Sequence, residues 1–275
     1  MQVCTQTQWG VPCSLQELHL SQNRICGPLE AMRFERMGSS LELLDLSSNA
    51  MLGSFAVALY GLPNLRWVSI ARNRLNGTLP EIERQRKAAL AIEHLDLSEN
   101  RLLGTLPAST SCLLRMTFLS LRDNALSGTL DSLASLVALR HLDLGGNNFS
   151  GALAFIQSLR MLTHLSLDSS LLNQTAPQSF LKLGLLAMLE IVVYDTSSCL
   201  LMLCQLQTSP STQLRIRFSD AKSVEVVDKR ALCRTATLDP TRDQKVFVFM
   251  ASAAAPLQRC CSIVGLWALM AVRLW

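Results

Sequence analysis

Two side-chain pairs in this chain have the types and spacing of an acid–base device. His94 stands two residues before Asp96, and His141 two residues before Asp143. On an extended strand residues two apart point the same way, so each carboxylate is placed to hydrogen-bond and orient an imidazole, the side chain that titrates nearest neutral pH. Catalysis would also require a nucleophile and a donor for an oxyanion. Ser98 and Ser120 are the nearest hydroxyls, and no oxyanion donor is identifiable beside them. Metal chemistry has no better footing. The nine cysteines are scattered, Cys260 and Cys261 are adjacent rather than spaced as C-x-x-C, and no histidine sits at zinc-finger spacing. A Gly-rich phosphate loop and the H-R-D and D-F-G strings of protein kinases are absent from these 275 residues. We therefore expect no catalytic residue, no metal, no cofactor and no enzyme activity.

The segments that carry these pairs repeat. Residues 92–106, 116–130 and 139–153 superimpose as L-x-x-L-x-L-x-x-N-x-L-x-G-x-L, at intervals of 23 or 24 residues. The same string begins again at Leu15, Leu41 and Leu65. It persists without its Asn or Gly at Leu162, where Ser170 and Gln174 take those places, and more faintly at Leu186. A fixed period of this size marks a solenoid. The L-x-L step has the two-residue period of a β-strand, so Leu95 and Leu97 face one side and His94, Asp96 and Ser98 the other. A strand this short buries its leucines only by lying beside the next coil, about 4.8 Å away in a parallel sheet. The Asn follows where the chain leaves the sheet. Its amide both donates and accepts, so Asn23, Asn49, Asn73, Asn100, Asn124 and Asn147 are expected to form a ladder that satisfies turn backbone from coil to coil. The Gly four residues later suits a bend with positive φ.

Stacking also defines two columns on the outward face of the sheet. One runs Glu17, Leu43, Trp67, His94, Phe118, His141, His164, and the next runs His19, Asp45, Ser69, Asp96, Ser120, Asp143, Ser166. Trp67 and Phe118 are large apolar rings where polar residues are the usual occupants, and rings flanked by polar groups make interface anchors. We take Trp67, His94, Asp96, Phe118, Arg122, His141, Asp143 and His164 as the candidate ligand-binding residues. A merely solvated ladder is the plainer alternative. Charged residues make up 17% of the chain and its formal charge is +4, with no Lys/Arg block, so nucleic acid is not an expected partner.

The repeats, with their G-T-L-P and S-G-x-L endings, resemble the plant-type subclass of the leucine-rich-repeat family, found in plant receptor ectodomains and trypanosomatid surface antigens. The resemblance implies an α/β repeat solenoid: a right-handed horseshoe with a concave parallel β-sheet and, here, an irregular C-terminal tail. It implies a receptor-like recognition module that binds a protein, peptide or glycan on its concave face, at the cell surface or linked to a membrane. A cytoplasmic scaffold is the alternative, because no signal-peptide pattern is visible. A fragment of a receptor-like kinase without its catalytic domain is a further one. The string Trp9-Gly-Val-x-Cys13 is similar to the end of the N-terminal cap in such ectodomains, which implies a Cys4–Cys13 disulfide; two free thiols are the alternative.

The expected organisation is a remnant of that cap over 1–14, repeats over 15–191 (six clear, one or two degenerate), an irregular last coil or cap over 192–218, and a poorly defined tail over 219–275. Residues 80–91 read as a short helix on the convex side. Both ends look fragment-like. The apolar C-terminus is shorter than the ~20 residues that span a bilayer, and it reads as a membrane-associating segment, a lipid-anchor signal or an unexceptional tail. Asn76, Asn148 and Asn173 open N-x-S/T sequons and are candidate glycosylation sites.

The proposed role of the Asn ladder has a direct test. Asn124→Ala is expected to cost roughly 1–3 kcal/mol, more than Ser170→Ala, and equal urea midpoints for the two variants would refute that role.

Overall fold

Stacking of short strands, required by the Leu-x-Leu segments, is what the chain does. The computed structural model describes residues 15–32, 34, 40–82, 91–172, 180, 183–193, 212–218 and 224–227. Its main sheet has ten strands: Glu17–His19, Leu43–Asp45, Trp67–Ser69, His94–Asp96, Phe118–Ser120, His141–Asp143, His164–Asp168, Met188–Val193, Gln213–Phe218 and Val224–Val227. They lie side by side in chain order. All pairs are parallel except the last, in which Val224–Val227 runs antiparallel to Gln213–Phe218. The register matches the repeat: Leu95 pairs with Leu119, Leu119 with Leu142, and Leu142 with Leu165. These leucines and their partners two residues on are buried in one continuous core. Each fully buried leucine contributes roughly 1.5–3 kcal/mol.

The turn out of each strand is built as the Asn positions require. Asn124 Nδ2 donates to the carbonyls of Leu97 and Leu121, both at 3.0 Å, and its Oδ1 accepts from the Leu102 N–H at 3.0 Å. One amide thus ties two successive coils. Asn49, Asn73, Asn100 and Asn147 repeat the arrangement. Asn23, in the first described coil, donates only within its own turn, to the Leu20 and Ser21 carbonyls. The residue before each Asn adopts a left-handed conformation although it is rarely glycine; Glu99 has φ +54° and Asp123 φ +51°. Its N–H is aimed at the next coil, as in the 2.8 Å bond from Glu99 N–H to the Arg122 carbonyl. At Gly128 (φ +81°) the missing Cβ also matters for space, since it would fall 2.6 Å from Thr105 Cγ2.

Three features differ from, or add to, the expected coil. A second strand follows each Asn. Asn76–Gly77, Arg101–Thr105, Ala125–Gly128 and Asn148–Phe149 form a four-stranded sheet, and Cys26–Pro28 pairs with Ala50–Leu52. The convex side is closed by 3-10 turns, at Leu29–Ala31, Val57–Gly61, Ala108–Cys112, Asp131–Ser135 and Leu153–Ser158. Among the described residues the one α-helical turn is Ser169–Leu172. The reason is length: with two strands already in each coil, 3-10 geometry at about 2.0 Å per residue spans the convex side with fewer residues than an α-helix at about 1.5 Å. Finally, the stack does not end at residue 191. Leu189 pairs with Leu214 and Ile191 with Ile216, so the regular sheet continues through Gln213–Phe218 before the antiparallel strand covers its edge. Of the helix expected over 80–91, residues 83–90 lie outside the described residues and 80–82 and 91 are not helical; the Cys4–Cys13 pair lies outside the described residues, as does the tail over 219–275 apart from Val224–Val227.

In the coil where Ser170 replaces the Asn, a side chain stands in for backbone carbonyls as the acceptor. In the earlier coil the Asp123 N–H donates to the backbone carbonyl of Gly145 at 2.8 Å. One coil on, the equivalent Gly146 N–H donates to Asp168 Oδ1 at 2.8 Å, and Asn147 N–H to Asp168 Oδ2 at 3.0 Å. Asp168 is fully buried. Asp168→Ala would strip two N–H groups of a charged acceptor, and a loss of about 3 kcal/mol in urea unfolding is expected. A loss no larger than that of the exposed Asp131→Ala would remove Asp168 from this role.

Candidate ligand-binding face

The register converts positions that are far apart in the chain into neighbours. Trp67, His94, Phe118, His141 and His164 are paired in sequence across five strands. Their rings stack as one column. Centroids are 4.7 Å apart from Trp67 to His94, 4.0 Å to Phe118, 4.3 Å to His141 and 5.4 Å to His164, with interplanar angles of 16°, 12°, 12° and 28°. Each ring is half-buried, chiefly because its neighbours cover its faces. Trp67 and Phe118 therefore stand on the outer face of the sheet, outside the leucine core, but are less exposed than isolated rings on that face would be.

The predicted His–Asp hydrogen bonds are not formed. Asp96 and Asp143 share the face with His94 and His141, but their carboxylates turn toward the strand ends. Asp96 Oδ1 accepts from the Ser98 N–H at 3.0 Å and the Ser98 hydroxyl at 2.7 Å. Asp143 Oδ1 accepts from the Gly145 N–H at 3.2 Å, and Oδ2 from Arg122 Nη1 at 3.3 Å. A backbone N–H at the turn is nearer to hand than an imidazole drawn away into a ring stack. Among the described residues the His–carboxylate contact that does form is His19 to Glu17, 3.3 Å and solvent-exposed. Among the described residues no group of three or more His, Cys, Asp or Glu side chains is placed to hold a metal ion.

Arg122 belongs to a second constellation that sequence reading did not find. It contacts Asp123, Asp143 and Glu190, each at 3.3 Å. Arg217 reaches back to Asp123 at 3.1 Å and to Glu190 at 3.5 Å. The Glu190 contact from Arg217 lies within ion-pair distance, but Glu190 Oε1 and Arg217 Nε lack hydrogen-bond alignment. Gly145 lies beneath this network. A Cβ there would come 2.7 Å from Val192 Cγ2 and 2.8 Å from Ser166 Oγ. The only sequence signal was the shared column position of Asp143 and Glu190; Asp123 and Arg217 are separated by 94 residues.

The electrostatics of the column follow from its packing. Burial pulls His94 down to about 4; the charge of His141 adds to this and Asp96 opposes it. Burial likewise lowers His141, with His164 adding to the effect and Asp143 and Asp96 opposing it. Burial also works against the charge of Arg122, but Asp143, Glu190 and Asp123 outweigh it and keep the guanidinium cationic. Of the three sequons, Asn76 and Asn148 are exposed on strands of the second sheet, and Asn173 lies outside the described residues. Cys26 is disulfide-bonded, a bond the sequence had not assigned to it, and Cys112 is a free thiol.

Profiles of the leucine-rich repeat match residues 13–75 in one form and residues 91–113 and 138–159 in another. The chain carries leucine-rich repeats over those residues. Its repeats are of the plant type, as its relatives are. A calmodulin-binding receptor kinase of Arabidopsis thaliana is 34% identical over 102 residues, covering 37% of this chain and 15% of that protein. Receptor-like protein 54 of the same plant is 34% identical over 123 residues, covering 44% of this chain and 14% of its own length. This leucine-rich-repeat chain therefore matches about a seventh of the length of these curated relatives. Among solved structures, the Arabidopsis receptor kinase HAESA, in complex with the peptide hormone IDA and a co-receptor, superimposes with a TM-score of 0.51 at 25% identity, over 66% of this chain and 35% of that one. A plant peptide hormone receptor in complex with RGF2 gives 0.53 at 20% identity, over 75% and 36%.

The imidazole column makes stability pH-dependent. In the unfolded chain His94 takes up its proton near 6.5, and in the folded chain only near about 4. Between those values the unfolded chain holds more protons, so stability is expected to fall as pH drops through this window and to level off below it. An NMR titration of His94 with an ordinary midpoint would contradict this.

Proposed function

We propose that this chain is a non-enzymatic recognition module that binds a protein or peptide on the face carrying the Trp67-to-His164 column. The observation that carries the reading is the column itself: two large aromatic rings and three imidazoles, held outside the leucine core by a rigid sheet, with the flanking carboxylates turned into the strand ends. Fixed aromatic groups on a preorganised surface lose little entropy on binding and make effective anchors. The likeness to HAESA, solved with a peptide hormone, supports a peptide or protein partner, and no sequence or structural feature favours a glycan over these. The receptor character of the relatives supports a place at the cell surface. The Cys26 disulfide fits an oxidising compartment better than a cytoplasmic scaffold, and exposed sequons at Asn76 and Asn148 fit it as well. Among the described residues no helix is long and apolar enough to cross a membrane, so membrane linkage through the C-terminal tail is a proposal from sequence alone.

The test is a double variant. Trp67→Ser with Phe118→Ser is expected to abolish binding to a partner captured from the cell surface while leaving the circular dichroism spectrum unchanged. Undiminished binding by the folded double variant would move the binding site elsewhere.

A further inference from the structure

We propose that one edge of the solenoid seats on an anionic lipid surface through the stacked turn tips of Leu114, Val137, Met161 and Leu185, flanked by Arg115, Arg140 and Arg160. This edge is separate from the ring column and does not depend on what the column binds.

The repeat makes the tips. Just before each strand of the main sheet the chain turns between two buried residues, and the second donates its N–H to the carbonyl of the first. Met116 does so to Leu113 and Leu139 to Leu136, both at 3.0 Å, and Leu162 to Leu159 and Leu186 to Leu183, both at 3.1 Å. The two residues in between form the tip. Leu114 and Val137 stand four residues before their strands, and Met161 and Leu185 three before theirs. Those strands pair in register, Phe118 with His141, His141 with His164 and His164 with Met188, so the tips line up along one edge of the sheet. In an earlier coil the equivalent tip is Pro63 and Asn64, without a large aliphatic side chain. Here the four apolar side chains are 59%, 55%, 40% and 54% exposed. Four of the seven large apolar side chains left exposed among the described residues thus fall on a single row, where scattered positions are the ordinary case.

Charge names the occupant. Arg115 shares a tip with Leu114 and Arg160 with Met161, and Arg140 follows the Val137 tip. All three are exposed, and none forms an ion pair among the described residues. No Asp or Glu stands on these tips; Glu93, in the coil before, pairs with Arg66 at 3.9 Å. A second copy seated on this edge would set arginines against arginines. A wholly apolar partner would leave their charge without a counterpart. A lipid surface with anionic headgroups meets both needs: the acyl boundary takes the apolar tips, and the guanidinium groups reach the phosphates.

The path of the chain leads to the same edge. Because Val224–Val227 runs antiparallel, Val227 lies beside Leu214, at the start of Gln213–Phe218. The Gln213 N–H donates to the Ala187 carbonyl at 2.8 Å, two residues past Leu185. The chain therefore leaves the sheet at the Leu185 end of the row; a parallel last strand would have delivered it to the opposite edge. The sequence that follows includes a run without charge from Cys260 to Val272, bounded by Arg259 and Arg273. A run shorter than the ~20 residues that span a bilayer is still suited to lying in its interface beside the row.

Flotation of the full chain with vesicles tests this. Binding is expected to vesicles of phosphatidylcholine mixed with phosphatidylserine, to weaken as salt rises, and to be weaker on phosphatidylcholine alone. Arg115→Gln, Arg140→Gln and Arg160→Gln together should weaken binding to the mixed vesicles about a hundredfold, at about fivefold for each cation near the surface. Leu114→Ser, Val137→Ser, Met161→Ser and Leu185→Ser together should weaken it at least about tenfold, with the circular dichroism spectrum unchanged. Single variants should show part of each loss, which keeps the test decisive if a combination does not fold. A benzophenone amino acid at position 137 should cross-link to lipid. No flotation overturns the proposal. So does flotation that neither set of variants weakens, which would mean that the Cys260–Val272 run holds the membrane unaided. Cross-linking from position 137 to a second copy or to that run, in place of lipid, overturns it too. None of these substitutions touches the ring column, so either result leaves the recognition reading as it stands.

Discussion

The structure depends on one constraint: no coil can bury its own leucines, so every coil must lie in register against the next. Leu44, Leu142 and Leu165 are hidden only because a neighbouring coil supplies the other wall. A slip of one residue would turn each Leu-x-Leu segment inside out and set its polar partners in the core. The Asn amides hold the same register in a second way. Asn100 donates to Ile70 and Leu97 and accepts from Leu75, so its hydrogen bonds are complete only at one offset between coils. Apolar burial supplies most of the free energy, and the amide ladder makes a single stacking offset the satisfied one.

Once the offset is set, chemistry on the outer face follows from it. Residues separated by a repeat become nearest neighbours, and the side chains at one position in successive coils have to coexist. Five of them are rings, and they coexist by stacking. Stacking excludes water from the imidazoles, and this loss of hydration, more than any neighbouring charge, keeps His94 and His141 neutral. The carboxylates one column away are not drawn into that stack, because the N–H groups of Ser98 and Gly145 stand closer. The face is consequently divided into a neutral, edge-presenting row and a row of carboxylates, of which only the later members are neutralised.

The C-terminal coils depart from the pattern without breaking the stack. Where Ser170 stands in place of the Asn, the buried Asp168 carboxylate accepts from the Gly146 and Asn147 N–H groups, whose equivalents one coil earlier donate to backbone carbonyls. The sheet then lengthens, to six residues in Met188–Val193 and Gln213–Phe218. Arg122, Asp123, Asp143, Glu190 and Arg217 link these strands to the middle of the solenoid by charge where the amide ladder has run out. Such a network makes up for lost turn bonding only if its members are jointly satisfied, and the alignment at Glu190 and Arg217 is its weakest point.

Whatever depends on a period can be read from the chain alone. The L-x-x-L-x-L spacing determined the parallel sheet, the buried leucines and the two columns on its outer face, and the recurring Asn and Gly marked each turn, because a repeat dictates its own neighbours. What depends on several coils acting together needed the tertiary structure. No local signal shows that Asp96 prefers Ser98 to His94, that rings one repeat apart would cover one another's faces, or that Arg217 would meet Asp123 from 94 residues away. The second sheet and the 3-10 turns were equally hidden, since they answer to the length left over in each coil. A repeating sequence specifies which residues are adjacent; which way adjacent side chains turn is settled by the competition among all the groups that stacking brings within reach.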